Sequence, residues 1–168
     1  AAKRCQLKLI IGNELILEDG TKIILLAKNR QGYGKLCHII TLARRRAKKG
    51  QYQVTLNDLK GSTDHLVAIW IPQQRERLEH DSDLSALKTL FGAQLWLGAV
   101  RALDGFDHIR TQDLQAIASA HTLPIVACGD VQMHASNRKP LLDTLCAIRH
   151  GRSVQSAGRL LQSNAERY

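Results

Sequence analysis

Pro124-Ile125-Val126-Ala127-Cys128-Gly129-Asp130-Val131-Gln132-Met133-His134 is a short apolar run, broken by a glycine and followed by an acid, an amide and an imidazole. An apolar run bounded by Pro and Gly reads as a buried strand, Pro124–Cys128. Outward from it, Asp107–His121 and Asn137–His150 read as helices, the second stopped by Gly151. Gln94–Val100 and Leu66–Ile71 read as further strands, the latter closed by Pro72. Ser82 or Asp83 caps an expected helix running to about Phe91, after a polar loop over Gln73–Ser82. Strand and helix alternate through this whole half, which predicts an α/β fold with parallel strands and helical crossovers. In such folds sites gather at the C-terminal ends of strands, so the Gly129–His134 loop is the first place to look for chemistry.

The first half reads differently. Leu7–Ile11 is expected to be a buried strand. Glu14–Leu17 and Lys22–Ala27 form an expected hairpin around Asp19-Gly20, because Gly accepts positive φ without steric cost. Lys28–Gly32 reads as a polar loop. A helix follows over Lys35–Ala47, with Leu36, Ile39, Ile40 and Ala43 at helical spacing, and Leu56–Leu59 is a helical turn opened by Thr55. The tail from Arg152 is polar, Ser-rich and expected to be weakly ordered.

Charge is concentrated in this first half. The 168 residues carry a formal net charge of +9, and residues 1–60 hold 13 basic and four acidic residues, while residues 61–168 hold 11 of each. That excess favours a polyanionic partner, DNA first. Arg44, Arg45, Arg46, Lys48 and Lys49 crowd the end of the Lys35–Ala47 helix and are the candidate phosphate contacts. Cations at that position also complement the helix dipole, so the cluster has a structural reading as well.

In extended backbone, residues two apart share a side, so Asp130, Gln132 and His134 are placed to converge. Asp and neutral His are common ligands of zinc, manganese or iron. The same residues also fit a turn capped by Asp130, with His134 in solvent. Glu14, at a strand exit after Gly12-Asn13, is either a ligand, a general base or a solvated hairpin residue. The sequence has no Gly-rich phosphate loop, no G-x-S-x-G elbow and no CxxC pair. Cys5, Cys37, Cys128 and Cys146 read as reduced thiols of a cytoplasmic protein, the last three in apolar stretches where Cys is a small buried hydrophobe. No apolar run approaches the ~20 residues of a membrane span, so no membrane partner is expected. Met133 is the sole Met, which points to an excised piece of a longer chain.

Several stretches together resemble one family. They are Leu9-Ile10-Ile11-Gly12-Asn13-Glu14, then Leu25-Leu26-Ala27-Lys28-Asn29 running into Gly32-Tyr33-Gly34-Lys35-Leu36-Cys37, then Val126–His134, then Leu142–Gly151. They resemble the PHP (polymerase and histidinol phosphatase) domain of bacterial C-family DNA polymerases, the DNA polymerase III alpha subunit type. Gly34–Arg46, the Asp130–His134 run and Asn164-Ala165-Glu166-Arg167 are similar to its error-prone branch. The resemblance implies an incomplete distorted (β/α)7 barrel with a leading β-hairpin. The chain would be one PHP-like domain over 1–168, with 152–168 as its tail, lacking the family's N-terminal His-x-His segment. It implies a degenerate metal site. Glu14 and Asp130 match ligands and His134 matches a second histidine of the error-prone branch, while Gln132 and Lys22 stand where metal-binding members have His, so zinc or manganese would bind weakly. The implied role is a structural, DNA-proximal module of a repair polymerase that copies past lesions. Its partners would be DNA and the remaining polymerase domains, since the polymerase active site itself lies outside this chain. A metal-dependent phosphoesterase and a protein-interaction scaffold are the alternative readings.

Overall fold

A computed structural model describes residues 2–61, 63–72, 81–103 and 105–168. The chain folds as mixed α/β: β1 (Gly12–Ile16), β2 (Lys22–Ala27), α1 (Arg30–Arg46), β3 (Leu66–Ile71), α2 (Asp81–Phe91), β4 (Leu95–Val100), α3 (Asp107–His121), β5 (Ile125–Cys128), α4 (Lys139–Arg149) and α5 (Val154–Ala157). The strands form one five-stranded sheet in the order β1-β2-β3-β4-β5. It is open, with β1 and β5 at its edges. β1, β2 and β3 pair antiparallel, and β3 pairs parallel with β4. The chain divides into two compact units, 1–98 with 117–126, and 99–116 with 127–168.

In the first unit the hairpin forms where Asp19-Gly20 predicts it. Gly20 has φ 86°, Leu17 N–H donates to Thr21 O at 2.9 Å, and Asp19 Oδ1 accepts from Thr21 N–H at 2.7 Å. Strand alternation then sorts the side chains. Leu15, Ile23 and Leu25 are buried on one face, and α1 packs against β1 and β2. The helix buries Gly32, Leu36, Ile39 and Ala43. Each such fully buried Leu or Ile contributes about 1.5–3 kcal/mol. On the other face, Glu14, Ile24, Ile69 and Trp96 fall in one row by register.

Three expectations for this unit are corrected. Leu7–Ile11 is not a buried strand: Leu7, Leu9 and Ile10 are exposed, and pairing begins only where Ile11 O accepts from Ala27 N–H. A strand needs a ladder partner, and none lies beside Leu7–Ile10 among the described residues. Helix α1 starts at Arg30 rather than Lys35, because Asn29 caps it; its Oδ1 accepts from Gly32 N–H at 3.0 Å. Gly32 is no breaker here. A Cβ at that position would collide with the His65 carbonyl oxygen, so only glycine lets the helix seat against the chain entering β3. Cys37 is exposed rather than buried, while Cys128 and Cys146 are half-buried, and none of the four cysteines is in a disulfide. The expected loop Gln73–Ser82 lies largely outside the described residues, and α2 begins at Asp81.

The second unit is tied by side chains to backbone. Asp107, opening α3, accepts from Ala102 N–H at 3.0 Å and Leu103 N–H at 2.9 Å. Arg110 pairs with the same carboxylate at 2.9 Å. Arg110 above all, with those two amides, holds the Asp107 carboxyl below the usual carboxylate range. Asn164 Nδ2 donates to Ala102 O at 2.8 Å and Leu103 O at 3.1 Å. Helix α4 carries Pro140 in its first turn, and Gly151, at φ 61°, follows its end as the sequence predicts.

Candidate nucleic-acid interface and acid-bearing loops

The basic end of α1 divides in two. Arg44 lies with its guanidinium 5.3 Å from the Tyr52 ring centroid, and its Nη1 donates to Gln51 O at 3.2 Å. Tyr52 Oη in turn accepts from Ile16 N–H at 3.1 Å. Arg46 forms a two-pronged bridge to Asp58, Nη1 to Oδ2 at 2.8 Å and Nη2 to Oδ1 at 2.9 Å. Asp58 Oδ2 also accepts from Thr55 N–H at 2.8 Å and Thr55 Oγ1 at 3.0 Å, closing a capping box over the 3-10 turn Leu56–Leu59. The Arg46 guanidinium, helped by Thr55 and opposed by burial, holds the Asp58 carboxyl far below the usual range, and Asp58 raises Arg46 in return. Both arginines therefore fasten the returning chain, Gln51–Leu59, to the helix.

Arg45, Lys48 and Lys49 differ. They are exposed, and no hydrogen bond, ion pair or ring contact engages their side chains among the described residues. Arg45 lies two helical turns beyond His38 on one stripe of α1. That stripe borders an open cleft of about 680 Å³ whose lining includes Gln31, Lys35, His38, Leu42, Asp58 and Lys60. Lys35 Nζ donates there to Gly61 O. The exposed cations can meet phosphate oxygens with no internal bond to break.

The two carboxylates of the expected metal site are each paired within their own unit. Glu14 Oε2 lies 3.0 Å from Lys22 Nζ, a diagonal pair on one face of the hairpin. Asp130 carries a positive φ of 44°, which breaks the extended run, so the alternation argument does not carry from Asp130 to Gln132 and His134. Its carboxylate is bridged by the Arg167 guanidinium. Arg167 O also accepts from Gln132 N–H at 2.9 Å and Met133 N–H at 3.3 Å. Gln132 Oε1 accepts from Gln162 Nε2 at 3.3 Å, Met133 is buried and His134 is exposed. Among the described residues no group of three or more His, Cys, Asp or Glu side chains is placed to hold a metal. Each carboxylate already holds a cation of the chain, and neither belongs to a group of three metal-ligating side chains among the described residues, so neither fits a divalent ion.

Sequence reasoning missed Asp58 and Arg167. Thr55-x-x-Asp58 carries the spacing of a capping box, a legible signal. Arg167 belongs to a stretch that carries the family resemblance, but nothing in its spacing ties it to Asp130.

No family model matches the chain. It is 46% identical over 168 residues to the error-prone DNA polymerase of Methylococcus capsulatus, covering 99% of this chain and 16% of that protein. The corresponding protein of Pseudomonas aeruginosa is 42% identical over 169 residues, covering 100% and 16%. That of Saccharophagus degradans is 42% identical over 166 residues, covering 99% and 16%. The chain matches a segment of bacterial error-prone DNA polymerases. It spans about a sixth of the length of these curated relatives. No helix among the described residues is long and apolar enough to cross a membrane.

Proposed function

We propose that the chain is a segment of a bacterial error-prone DNA polymerase, of PHP type, serving as a structural and DNA-proximal module in synthesis past template lesions. The match along the whole chain to polymerases of that name carries this reading. Strands and helices alternating around the parallel β3–β4 pair support the PHP assignment, with the open sheet as part of an incomplete barrel. DNA and the other polymerase domains are its partners, in the cytoplasm. Arg45, Lys48 and Lys49 contact phosphates without reading sequence. Arg44 and Arg46 hold the segment that presents them. Glu14, Asp130 and His134 are the remnants of the metal site that the resemblance implies, and zinc or manganese has no function at any of them. A phosphoesterase built on those residues is disfavoured by the pairing of both carboxylates.

Primer extension tests the polymerase assignment. The full-length protein that carries this chain is expected to incorporate nucleotides opposite an abasic site in a primed template with Mg²⁺ present. Absence of template-directed incorporation on damaged and undamaged templates alike rejects it.

A further inference from the structure

The second unit ends in a strap, Gln162–Arg167, that reaches back over the Gly129–His134 loop. Gln162, Asn164 and Arg167 each land on a defined partner. Gln162 Nε2 meets Gln132 Oε1, and Asn164 Nδ2 meets the carbonyls of Ala102 and Leu103. Asn164 Oδ1 accepts from Glu166 N–H at 3.0 Å, closing a turn. That turn delivers Arg167, whose carbonyl takes two loop amides and whose guanidinium meets the Asp130 carboxylate. The pair is half-buried, 20% and 23% exposed, so it is less screened than a surface bridge. Asp130 is held at positive φ, where Asp is tolerated but not favoured. A planar guanidinium with several donors satisfies a carboxylate in such a fixed geometry better than a solvated ammonium.

We infer that Arg167 is the resident cation of the Asp130 loop, so that the chain supplies from its own strap the positive charge a metal-binding relative would take from a divalent ion. The inference rests on the reading of Asp130 as the counterpart of a metal ligand. Arg167 is then a positioning residue. It fixes the carboxylate and clamps the loop through its carbonyl, and it blocks cations from Asp130 by charge as well as by occupancy.

Mn²⁺ is the probe, and the full-length protein is the sample. Bound Mn²⁺ is counted by the loss of the free-ion EPR signal, and the melting midpoint is read in metal-free buffer. Wild type and D130N are expected to bind the same number of Mn²⁺ ions. Q132H adds an imidazole two residues from Asp130 and within the strap's reach but still binds no additional ion, because Arg167 remains. R167Q/Q132H binds one more Mn²⁺ per chain than wild type. R167Q lowers the metal-free midpoint, R167K restores most of the loss, and D130N/R167Q lies above R167Q because the carboxylate that loses its guanidinium is removed with it. Should R167Q not fold, the D130N and Q132H ion counts still decide. A lost Mn²⁺ in D130N, a gained one in Q132H alone, none gained in R167Q/Q132H, or an unmoved R167Q midpoint would each overturn the inference. Failure of the polymerase reading registers in primer extension on wild type and leaves these ion counts untouched.

Discussion

Arg45 and Arg46 are neighbours in the chain and opposites in use. Arg46 is bound by both nitrogens to Asp58, and Arg44 is held over Tyr52. Arg45, with Lys48 and Lys49, stands in solvent. Five clustered cations therefore do not amount to five contacts for a partner. A return segment with one acid, Asp58, and one ring, Tyr52, takes two of them for the fold and leaves the rest presented. The acid-bearing loops teach the same lesson from the other side. Glu14 and Asp130 look available in sequence, and each holds a cation of its own chain.

Seating of the helix is the strongest point at which to break this division. Gly32→Ala forces a Cβ into the His65 carbonyl, a backbone group that cannot step aside, and should cost about 3 kcal/mol. Chemical denaturation should show a lower midpoint together with weaker DNA binding, because Arg44, Arg45 and Arg46 lie on α1 and Lys48 and Lys49 follow directly from its end.

Asp58→Asn attacks only the fastened half. It removes the charge holding Arg46 and weakens the cap at Thr55, an expected cost of about 1–2 kcal/mol. The sign with pH follows from the depressed folded-state pKa. The Asp58 contribution is complete above about pH 4, the ordinary carboxylate value, and is lost as pH falls through the folded-state value. Denaturation curves should thus converge for the variant and wild type in strong acid and separate at neutral pH.

Lys22→Gln sharpens the contrast between the two acid loops. Glu14 is 44% exposed, so its bridge is screened and worth at most about 1 kcal/mol. Melting at low and at high salt should differ from wild type less than in R167Q, and the low-salt difference should vanish as salt rises.

Much of the fold is legible in sequence because local chemistry decides it. Asp19-Gly20 fixes the hairpin, the apolar run Leu66–Ile71 fixes β3 with no residue to spare, and α3 spans Asp107–His121 as the sequence leads one to expect. Misses occur where a distant partner decides. Gly32 and Gly34 resemble loop residues until the His65 carbonyl explains why one of them must be Gly. Leu7–Ile11 has strand composition without a strand beside it. Cys37 sits among apolar residues in sequence yet on the outer side of α1. At the candidate sites, residue types are legible and their engagement is not. Arg46 with Asp58 spans 12 residues, and Arg167 with Asp130 spans 37, separations at which no pattern in the sequence announces a bond.

The division of the basic cluster is tested most directly by the salt dependence of duplex binding. For the full-length protein, log K is measured against log [KCl] by fluorescence anisotropy, comparing wild type with R45E/K48E/K49E. Removing one phosphate-bound cation should reduce the slope by about 0.9, so removing all three reduces it by about 2.7 and weakens binding most at low salt. An unchanged affinity and slope in that variant would contradict the assignment of the exposed cations to DNA.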